Sequence, residues 1–169
     1  MSSQPTQILT AEQLQQKIRR IAFQIYENNF EESALVLAGV SGQGYVFAQL
    51  LEKELNQIAP QAVTLLHIDL DKTKKAQPPI QIDNPEAEFA DKVVIVVDDV
   101  LNSGRTLTFS LQPFLIVPVR KLQVAVLVDR NHPRYPVSAD YIGYELSTTL
   151  TEHVEVVLSD QNRVGVYLH

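Results

Sequence analysis

The sequence of 169 residues contains no cysteine. Disulfide bonds, catalysis by a thiolate and metal sites built from thiolates are therefore all excluded. The sequence also lacks an excess of positive charge, because 14 lysines and arginines stand against 20 aspartates and glutamates, for a net charge of -6. We expect no general attraction to phosphate backbones, so any anion site must be local.

Long apolar runs are absent as well. No segment approaches the roughly 20 apolar residues that a membrane helix requires. The N-terminal segment MSSQPTQILTAEQ has neither a basic region nor an apolar core, so we expect no secretory signal. These absences predict a cytoplasmic protein that does not bind membranes. At 45% hydrophobic residues, we expect a single domain over residues 1–169.

Helical and extended patterns alternate along the first half of the chain. Thr10 and Gln13 have the spacing of a capping box, and apolar residues at helical spacing then predict a helix over residues 11–28. The run ALVLAGV predicts a strand buried on both faces over residues 34–40. A helical pattern and a second strand, over residues 62–68, follow. Strands joined in this way usually lie parallel.

The second half begins with a predicted loop over residues 69–90, which contains three prolines, including Pro85. Loops of this length are more often functional or disordered than plain connectors. VVIVV then predicts a strand over residues 93–97, and a helix from Arg105 should weaken at Pro113 and end before Pro118. The remaining predicted strands cover residues 122–128, 140–143, 154–158 and 164–168.

This order of elements predicts an α/β fold: a doubly wound, mostly parallel sheet with helices on both faces, and a small C-terminal strand region, or hood. Ligands of such sheets bind at the carboxyl ends of the strands. That rule selects the turns after Val40, Ile68, Val97 and Val128.

The segment VVIVVDDVLNSGRTL carries the strongest chemical signal. Asp98 and Asp99 end a buried strand, where unpaired carboxylates would cost several kcal/mol. The tetrapeptide SGRT, residues 103–106, opens the next helix and offers converging N–H groups and hydroxyls to an anion. Acids beside an anion cradle suit a ribose 5-phosphate. An isolated Asp-Asp pair could equally cap a turn, with Ser103 capping the helix, but the whole string favours the ligand.

This string resembles the phosphoribosyl-pyrophosphate motif of type I phosphoribosyltransferases: an apolar strand, two acids, three variable residues, Thr or Ser, Gly, any residue and Thr. The segments VVDDVLNSGRTL through VAVLVDRNHPRYPVSADYIG, and ILTAEQLQQKIRRIAFQIYENN, are similar to pyrimidine operon attenuator proteins that double as uracil phosphoribosyltransferases. The resemblance implies the type I phosphoribosyltransferase fold and 5-phosphoribosyl-1-pyrophosphate (PRPP) as substrate.

The resemblance also implies roles for the matching residues. Asp98 and Asp99, the acid pair, would be catalytic and hold the ribose hydroxyls, with Asp99 stabilising a cationic sugar. Family members use Mg²⁺ on the substrate oxygens, so the acid pair would contact the metal indirectly, through substrate or water. The PRPP-binding residues would be Asp98, Asp99, Val100, Leu101, Asn102, Ser103, Gly104, Arg105 and Thr106, of which residues 102–106, the phosphate loop, would wrap the 5-phosphate.

The implied pyrophosphate turn departs from the family. It consists of Val40, Ser41, Gly42, Gln43 and Gly44, where the attenuator proteins typically have Lys-Thr-Arg-Gly after the strand. Two basic contacts are missing, although backbone N–H groups can still bind an oxyanion. The family's mobile loop usually carries Tyr-Arg-Asp-Asp, whereas this chain has Lys72, Lys74 and Lys75. These lysines either replace the lost charges or form a solvated charge run.

The implied base-binding residues are Asp129, Arg130, Asn131 and His132, with a flap around Tyr141 and Tyr144. Family members have glycine at the place of Asn131. Asp129 and Arg130 could instead form an ordinary ion pair at the strand end.

Three functions remain open from the sequence. The first is transfer of the phosphoribosyl group to a nucleobase, most simply uracil, giving uridine monophosphate (UMP) and pyrophosphate. The second takes a 6-oxopurine, because ADYIGYEL also resembles hypoxanthine phosphoribosyltransferases. The third is a nucleotide-sensing regulator without turnover. The resemblance implies a homodimer or homotetramer, and the net charge of -6 argues against tight RNA binding.

Overall fold

The computed structural model describes residues 4–83 and 89–169. Pro85, part of the predicted loop, lies outside these residues. The described elements are, in chain order, β1 (Thr6–Thr10), α1 (Ala11–Asn28), β2 (Ala34–Val40), α2 (Gln43–Ile58), β3 (Ala62–Asp69), β4 (Gln81–Ile82), β5 (Val93–Leu101), α3 (Arg105–Leu111), α4 (Pro113–Ile116), β6 (Lys121–Asp129), β7 (Tyr141–Glu145), β8 (Val154–Val157) and β9 (Gly165–Leu168).

The main sheet has six strands in the order β4-β3-β2-β5-β6-β7. Only β4, at one edge, runs antiparallel to its neighbour; the other pairs are parallel. Successive residues of the central strands point to opposite faces, and both faces are apolar. Leu35 and Leu37 pack with α1 and α2 residues on one side, while Val36 and Ala38 pack with Leu107 and Phe114 on the other. The predicted doubly wound sheet is confirmed.

The chain reverses its direction of travel across the sheet between β2 and β5. From β2 it crosses to β3 on one side, and from β5 it crosses to β6 on the other. Such a switch point leaves a crevice beyond the carboxyl ends of the two strands, where ligands of open α/β sheets bind. Here it brings the pyrophosphate turn and the acid pair next to each other, because Gly39 pairs with Val97.

A second, antiparallel sheet in the order β1-β9-β8 forms the predicted hood. It differs from the prediction because it includes β1, which pairs with β9 from the other end of the chain. Within the described residues, no helix is both long enough and apolar enough to cross a membrane.

Most predicted elements are confirmed, and several strand boundaries differ by one to four residues. α1 covers residues 11–28 and begins with the predicted reciprocal bonds between Thr10 and Gln13. β5 was predicted to end at Val97 but continues to Leu101, because its polar half pairs with β6, as Leu101 does with Asp129. The predicted loop over residues 69–90 contains the short strand β4.

Candidate active site

The acid pair lies inside β5 rather than after it. The continued pairing with β6 places the Asp98 side chain in the interior, where the residue is 1% exposed, while the Asp99 side chain is 17% exposed. The backbone N–H of Asp99 donates to Asp98 Oδ1 at 2.9 Å. Two carboxylates thus stand side by side at the base of the crevice, one buried and one partly exposed.

Lys72 binds both members of the acid pair. Its Nζ donates to Asp98 Oδ1 at 2.9 Å and to Asp99 Oδ1 at 3.3 Å. The loop that carries it is also held at Lys75, whose carbonyl oxygen accepts a hydrogen bond from the Arg105 guanidinium. Lys72 is therefore not part of a solvated charge run, and this loop covers both the acid pair and the phosphate loop.

Burial and mutual repulsion change the proton affinity of this cluster. Desolvation, and then the negative charge of Asp99, raise the pKa of Asp98 to about 8. Burial alone would lower the pKa of Lys72, but the charges of Asp98 and Asp99 outweigh burial and raise it. The substrate-free protein thus keeps a carboxyl group where ionisation is unfavourable, a property common at functional sites.

The phosphate loop has a backbone that only a glycine accommodates at its centre. Gly104 has φ +88, and a Cβ there would lie 2.6 Å from a methyl carbon of Val137. The carbonyl oxygen of Ser103 accepts hydrogen bonds from the backbone N–H groups of Arg134 and Tyr135, at 2.8 and 3.1 Å. These contacts fix the loop from behind. Because α3 has only seven residues, an anion here would depend on local N–H groups and hydroxyls more than on a helix dipole.

One cavity of about 250 Å³ contains these parts together. Every residue of the predicted PRPP-binding set lines it. The hood contributes three further residues that the sequence did not assign to the site, and Lys72 and Leu107 complete the lining. In full, the lining residues are Lys72, Asp98, Asp99, Val100, Leu101, Asn102, Ser103, Gly104, Arg105, Thr106, Leu107, His153, Val154 and Glu155.

The pyrophosphate turn contacts the acid pair through its last residue. A Cβ on Gly44 would lie 2.7 Å from Asp98 Oδ1, so only glycine allows this approach. The side chains of the turn are used within the protein. Ser41 Oγ donates to the carbonyl oxygen of Ile68 at 2.7 Å, and the Gln43 amide bonds the hood. The turn therefore offers mainly backbone N–H groups, at the start of α2, to a ligand.

The predicted base-binding residues are divided between solvent and interior. Asp129 and Asn131 line a second cavity of about 190 Å³, which shares Leu101 and Asn102 with the first. Arg130 is 8% exposed, and its Nη1 donates to Asn102 Oδ1 at 2.8 Å. The alternative Asp129–Arg130 ion pair is absent among the described residues. Asp129 Oδ1 instead accepts from the Asn131 backbone N–H at 2.8 Å.

Two further residues of this region, His132 and Tyr141, make contacts within the protein. His132 Nε2 lies 2.6 Å from the Thr148 carbonyl oxygen, a contact within the protein. Tyr141 does not belong to a flap: it is 1% exposed within β7, and its hydroxyl donates to Gln123 at 2.8 Å. The predicted flap is wrong there because Tyr141 fills the core beneath the edge strand.

The acid pair fits a metal that is held mainly by substrate. Among residues 4–83 and 89–169, no group of three or more His, Cys, Asp or Glu side chains is arranged to hold a metal ion. Two neighbouring carboxylates, already bound to one cation through Lys72, can nevertheless interact with a hydrated Mg²⁺, which prefers oxygen ligands and retains several waters.

Comparison with known proteins gives results that agree with the resemblance of the PRPP motif. A family model described as a phosphoribosyl transferase domain matches residues 4–161. The chain is 35% identical to the bifunctional protein PyrR of Bacillus velezensis, over 97% of this chain and 96% of that protein. It is 31% identical to the protein of the same name from Haemophilus ducreyi, over 88% and 87%.

Solved structures share the architecture at lower identity. A hypoxanthine-guanine phosphoribosyltransferase from Bacillus anthracis matches with a TM-score of 0.74 and 24% identity, over 95% of this chain and 94% of that chain. A hypoxanthine phosphoribosyltransferase of Trypanosoma cruzi matches with a TM-score of 0.77 and 18% identity, over 96% and 95%. At such identities these two show the fold alone. Taken with the match over residues 4–161, they establish that this chain belongs to the phosphoribosyl transferase family and has its type I fold.

Proposed function

We propose that this protein transfers the phosphoribosyl group of PRPP to uracil, giving UMP and pyrophosphate. One observation carries the proposal: the acid pair and the phosphate loop line a single cavity at the switch point of the sheet. The spacing suits a ligand with vicinal hydroxyls near a phosphate. The chain's own residues would act as follows.

The ribose would replace Lys72 as the hydrogen-bond partner of the acid pair. Ribose hydroxyls donate to Asp98 and Asp99, in place of Lys72 Nζ, and Lys72 is freed to meet the pyrophosphate. The bond between C1 of the sugar and the pyrophosphate oxygen breaks, the bond from C1 to the base nitrogen forms, and the proton of that nitrogen leaves with pyrophosphate or to water. Preorganised carboxylates stabilise the positive charge on the sugar as it forms.

Mg²⁺ belongs to the proposal as well. The acid pair would contact it through substrate or water, and it would neutralise the charge of the departing pyrophosphate. Chelation should therefore abolish turnover and leave the melting temperature of the substrate-free protein unchanged. A large melting shift without substrate would show a structural ion instead.

Uracil is proposed over a 6-oxopurine because the similarity of residues 93–143 to the uracil-using attenuator proteins extends through the base-binding segment. Labelled PRPP, offered with uracil, cytosine, hypoxanthine, guanine and adenine, tests the choice. We expect labelled UMP alone. Labelled purine nucleotide would favour the second function. PRPP or UMP binding without product from any base would favour the regulator.

Two further expectations concern partners. We propose a homodimer or homotetramer, which light scattering would measure. We also propose that RNA binds no tighter than about micromolar at physiological salt, the range of non-specific association. Nanomolar affinity for a pyrimidine-gene leader hairpin, with a steep salt dependence, would overturn the second proposal.

A further inference from the structure

Asn102 occupies the boundary between the two cavities. It lines the larger one with the acid pair, and the smaller one with Asp129 and Asn131. Asn102 is exposed, so its side chain is accessible to a ligand. In the proposed reaction, which this inference extends, the sugar phosphate fills the first cavity and the base approaches from the second. Asn102 would then lie where the two parts of the product join.

The orientation of the Asn102 amide follows from its partner. Arg130 Nη1 lies 2.8 Å from the Asn102 amide, and a guanidinium carries only hydrogen-bond donors. The amide oxygen must therefore face Arg130, which fixes an assignment that is otherwise ambiguous for asparagine. The Nδ2 group is left for another acceptor, and it makes no hydrogen bond to any of residues 4–83 and 89–169.

Arg130 is held firmly enough to keep this orientation. Its Nε donates to Thr148 Oγ1 at 3.0 Å, and its Nη2 donates to the carbonyl oxygen of Glu152 at 2.5 Å. The residue is 8% exposed, so these bonds lie in the interior. Its remaining donors are thus directed at the segment before the hood rather than at the crevice. Arg130 cannot easily turn toward a base, but it can hold Asn102.

We propose that Asn102 is a specificity-determining residue, whose Nδ2 donates to the carbonyl oxygen next to the attacking nitrogen of the base, and that Arg130 is its positioning residue. The substrate class is a base with a carbonyl acceptor at that place, as the 2-oxo group of uracil is beside N1. An amide N–H does not accept a proton, so Asn102 recognises the base without acting as a general base.

The test compares uracil with 2-thiouracil, which differs only in the proposed acceptor, since sulfur accepts hydrogen bonds weakly. For the wild type we expect kcat/KM to favour uracil about tenfold. Asn102→Asp retains the shape and the bond from Arg130 but replaces the donor with an acceptor. It should lower kcat/KM for uracil by about a hundredfold and remove the preference over 2-thiouracil. The Kd of PRPP, measured by calorimetry, should change less than about threefold.

Two further variants separate positioning from folding. Asn56→Asp makes the same chemical change on the exposed side of α2. It should leave kcat/KM for uracil and the preference over 2-thiouracil unaltered. Arg130→Lys removes the fixed fork of donors. It should lower the preference for uracil over 2-thiouracil in protein that is still folded. A general loss of stability would not change this ratio of kcat/KM values.

The results that would contradict this inference differ from those that would contradict the proposed function. If Asn102→Asp weakens PRPP binding about tenfold or more and leaves the preference for uracil intact, the amide binds phosphate and the inference is wrong. If the wild type forms no nucleotide from any base, the proposed function fails, but the inference can still be tested. UMP should then bind more tightly than 2-thio-UMP to the wild type and equally to Asn102→Asp. Equal binding to the wild type would overturn the inference by itself.

Discussion

The phosphate loop and the pyrophosphate turn are both expected to bind phosphate groups, yet they differ in how their polar groups are used. The loop is fixed from behind by residues 134 and 135, and its own residues line the large cavity. In the turn, Ser41 and Gln43 have their side chains bonded to the protein, and the family's basic residues are missing. This site therefore places its side-chain chemistry at the end of β5 and uses the end of β2 mainly for the close approach of backbone.

The largest expected effect belongs to the acid pair. Asp99→Asn should leave the protein folded but lower turnover by at least about tenfold, because it removes a negative charge opposite a forming cation. Product formation from labelled PRPP measures this, with circular dichroism as the check on folding. Asp160→Asn, an exposed acid in the turn between β8 and β9, is the matched control. Unchanged turnover in folded Asp99→Asn protein would refute the proposed role of the acid pair.

Thr106→Ala should act on binding rather than on folding. A charge-assisted hydrogen bond to the 5-phosphate would be lost, which is worth about 1.5 to 3 kcal/mol, or roughly 10- to 150-fold in the Kd of PRPP. Thr108→Ala in the same helix is the control, because Thr108 Oγ1 already donates to the Gly104 carbonyl oxygen at 2.8 Å. If calorimetry gives the Thr106 variant the affinity of the wild type, phosphate binds elsewhere.

The phosphate loop could be predicted from sequence because its chemistry is local. The acids, the glycine with φ +88 and the residues that open α3 are contiguous, so the string itself determines their proximity. Buried strands were predicted equally well, since ALVLAGV is apolar on both faces and can only lie inside a sheet. The start of α1 was predicted correctly because a capping box marks it.

The hood contribution could not be predicted, and Lys72 could not be distinguished from Lys74 and Lys75, because each depends on contacts between distant segments. β1 has only one buried residue, so its sequence shows little alternation, and its partner β9 lies at the other end of the chain. His153 and Glu155, at the start of β8, line the cavity from a strand that pairs with β9. Nothing in the segment DKTKK distinguishes the lysine that meets the acid pair from its neighbours.

Two glycines in the pyrophosphate turn test whether backbone approach is its main contribution. Gly44→Ala would place a carbon 2.7 Å from Asp98 Oδ1 and 3.1 Å from its backbone Cα, so Asp98 must move. We expect a loss of about 1 to 3 kcal/mol in the free energy of unfolding and a clear loss of turnover. Gly42→Ala meets no atom within 4 Å and is disfavoured only by its φ of +88.

The Gly42 variant should lose about 1 kcal/mol through backbone strain and keep more activity than Gly44→Ala, because Asp98 is undisturbed. Urea titration and turnover compare the two variants. If Gly44→Ala retains the activity of Gly42→Ala, close contact with the acid pair is not the reason for glycine at residue 44.

The stability of the substrate-free protein should depend on the protonation of Asp98. The folded protein keeps this proton up to a pKa of about 8, whereas the unfolded chain loses it near the ordinary value of 3.8. Between these values the folded state binds more protons, so this group lowers stability as pH rises through the window. Asp98→Asn cannot ionise and should flatten that part of the profile. Urea unfolding from pH 4 to 8 measures both; an equally steep decline in the variant would assign the dependence to other groups.

The smallest effect is expected at Gln43, whose amide holds the hood. Its Oε1 accepts from the Leu158 backbone N–H at 2.7 Å, and its Nε2 donates to Ser159 Oγ at 3.1 Å, so neither end is committed to a ligand. Gln43→Ala should therefore change the Kd of PRPP by less than about threefold and mainly lower stability, by about 1 kcal/mol.

Gln43→Arg restores one of the two basic residues that the family has in this turn. It should tighten PRPP binding by roughly two- to tenfold at low salt, and the gain should shrink as salt screens the charge. Calorimetry at two salt concentrations separates these effects. If Gln43→Ala alone weakens binding by more than about tenfold, the side chain contacts pyrophosphate and the contrast between the two turns is smaller than the structure indicates.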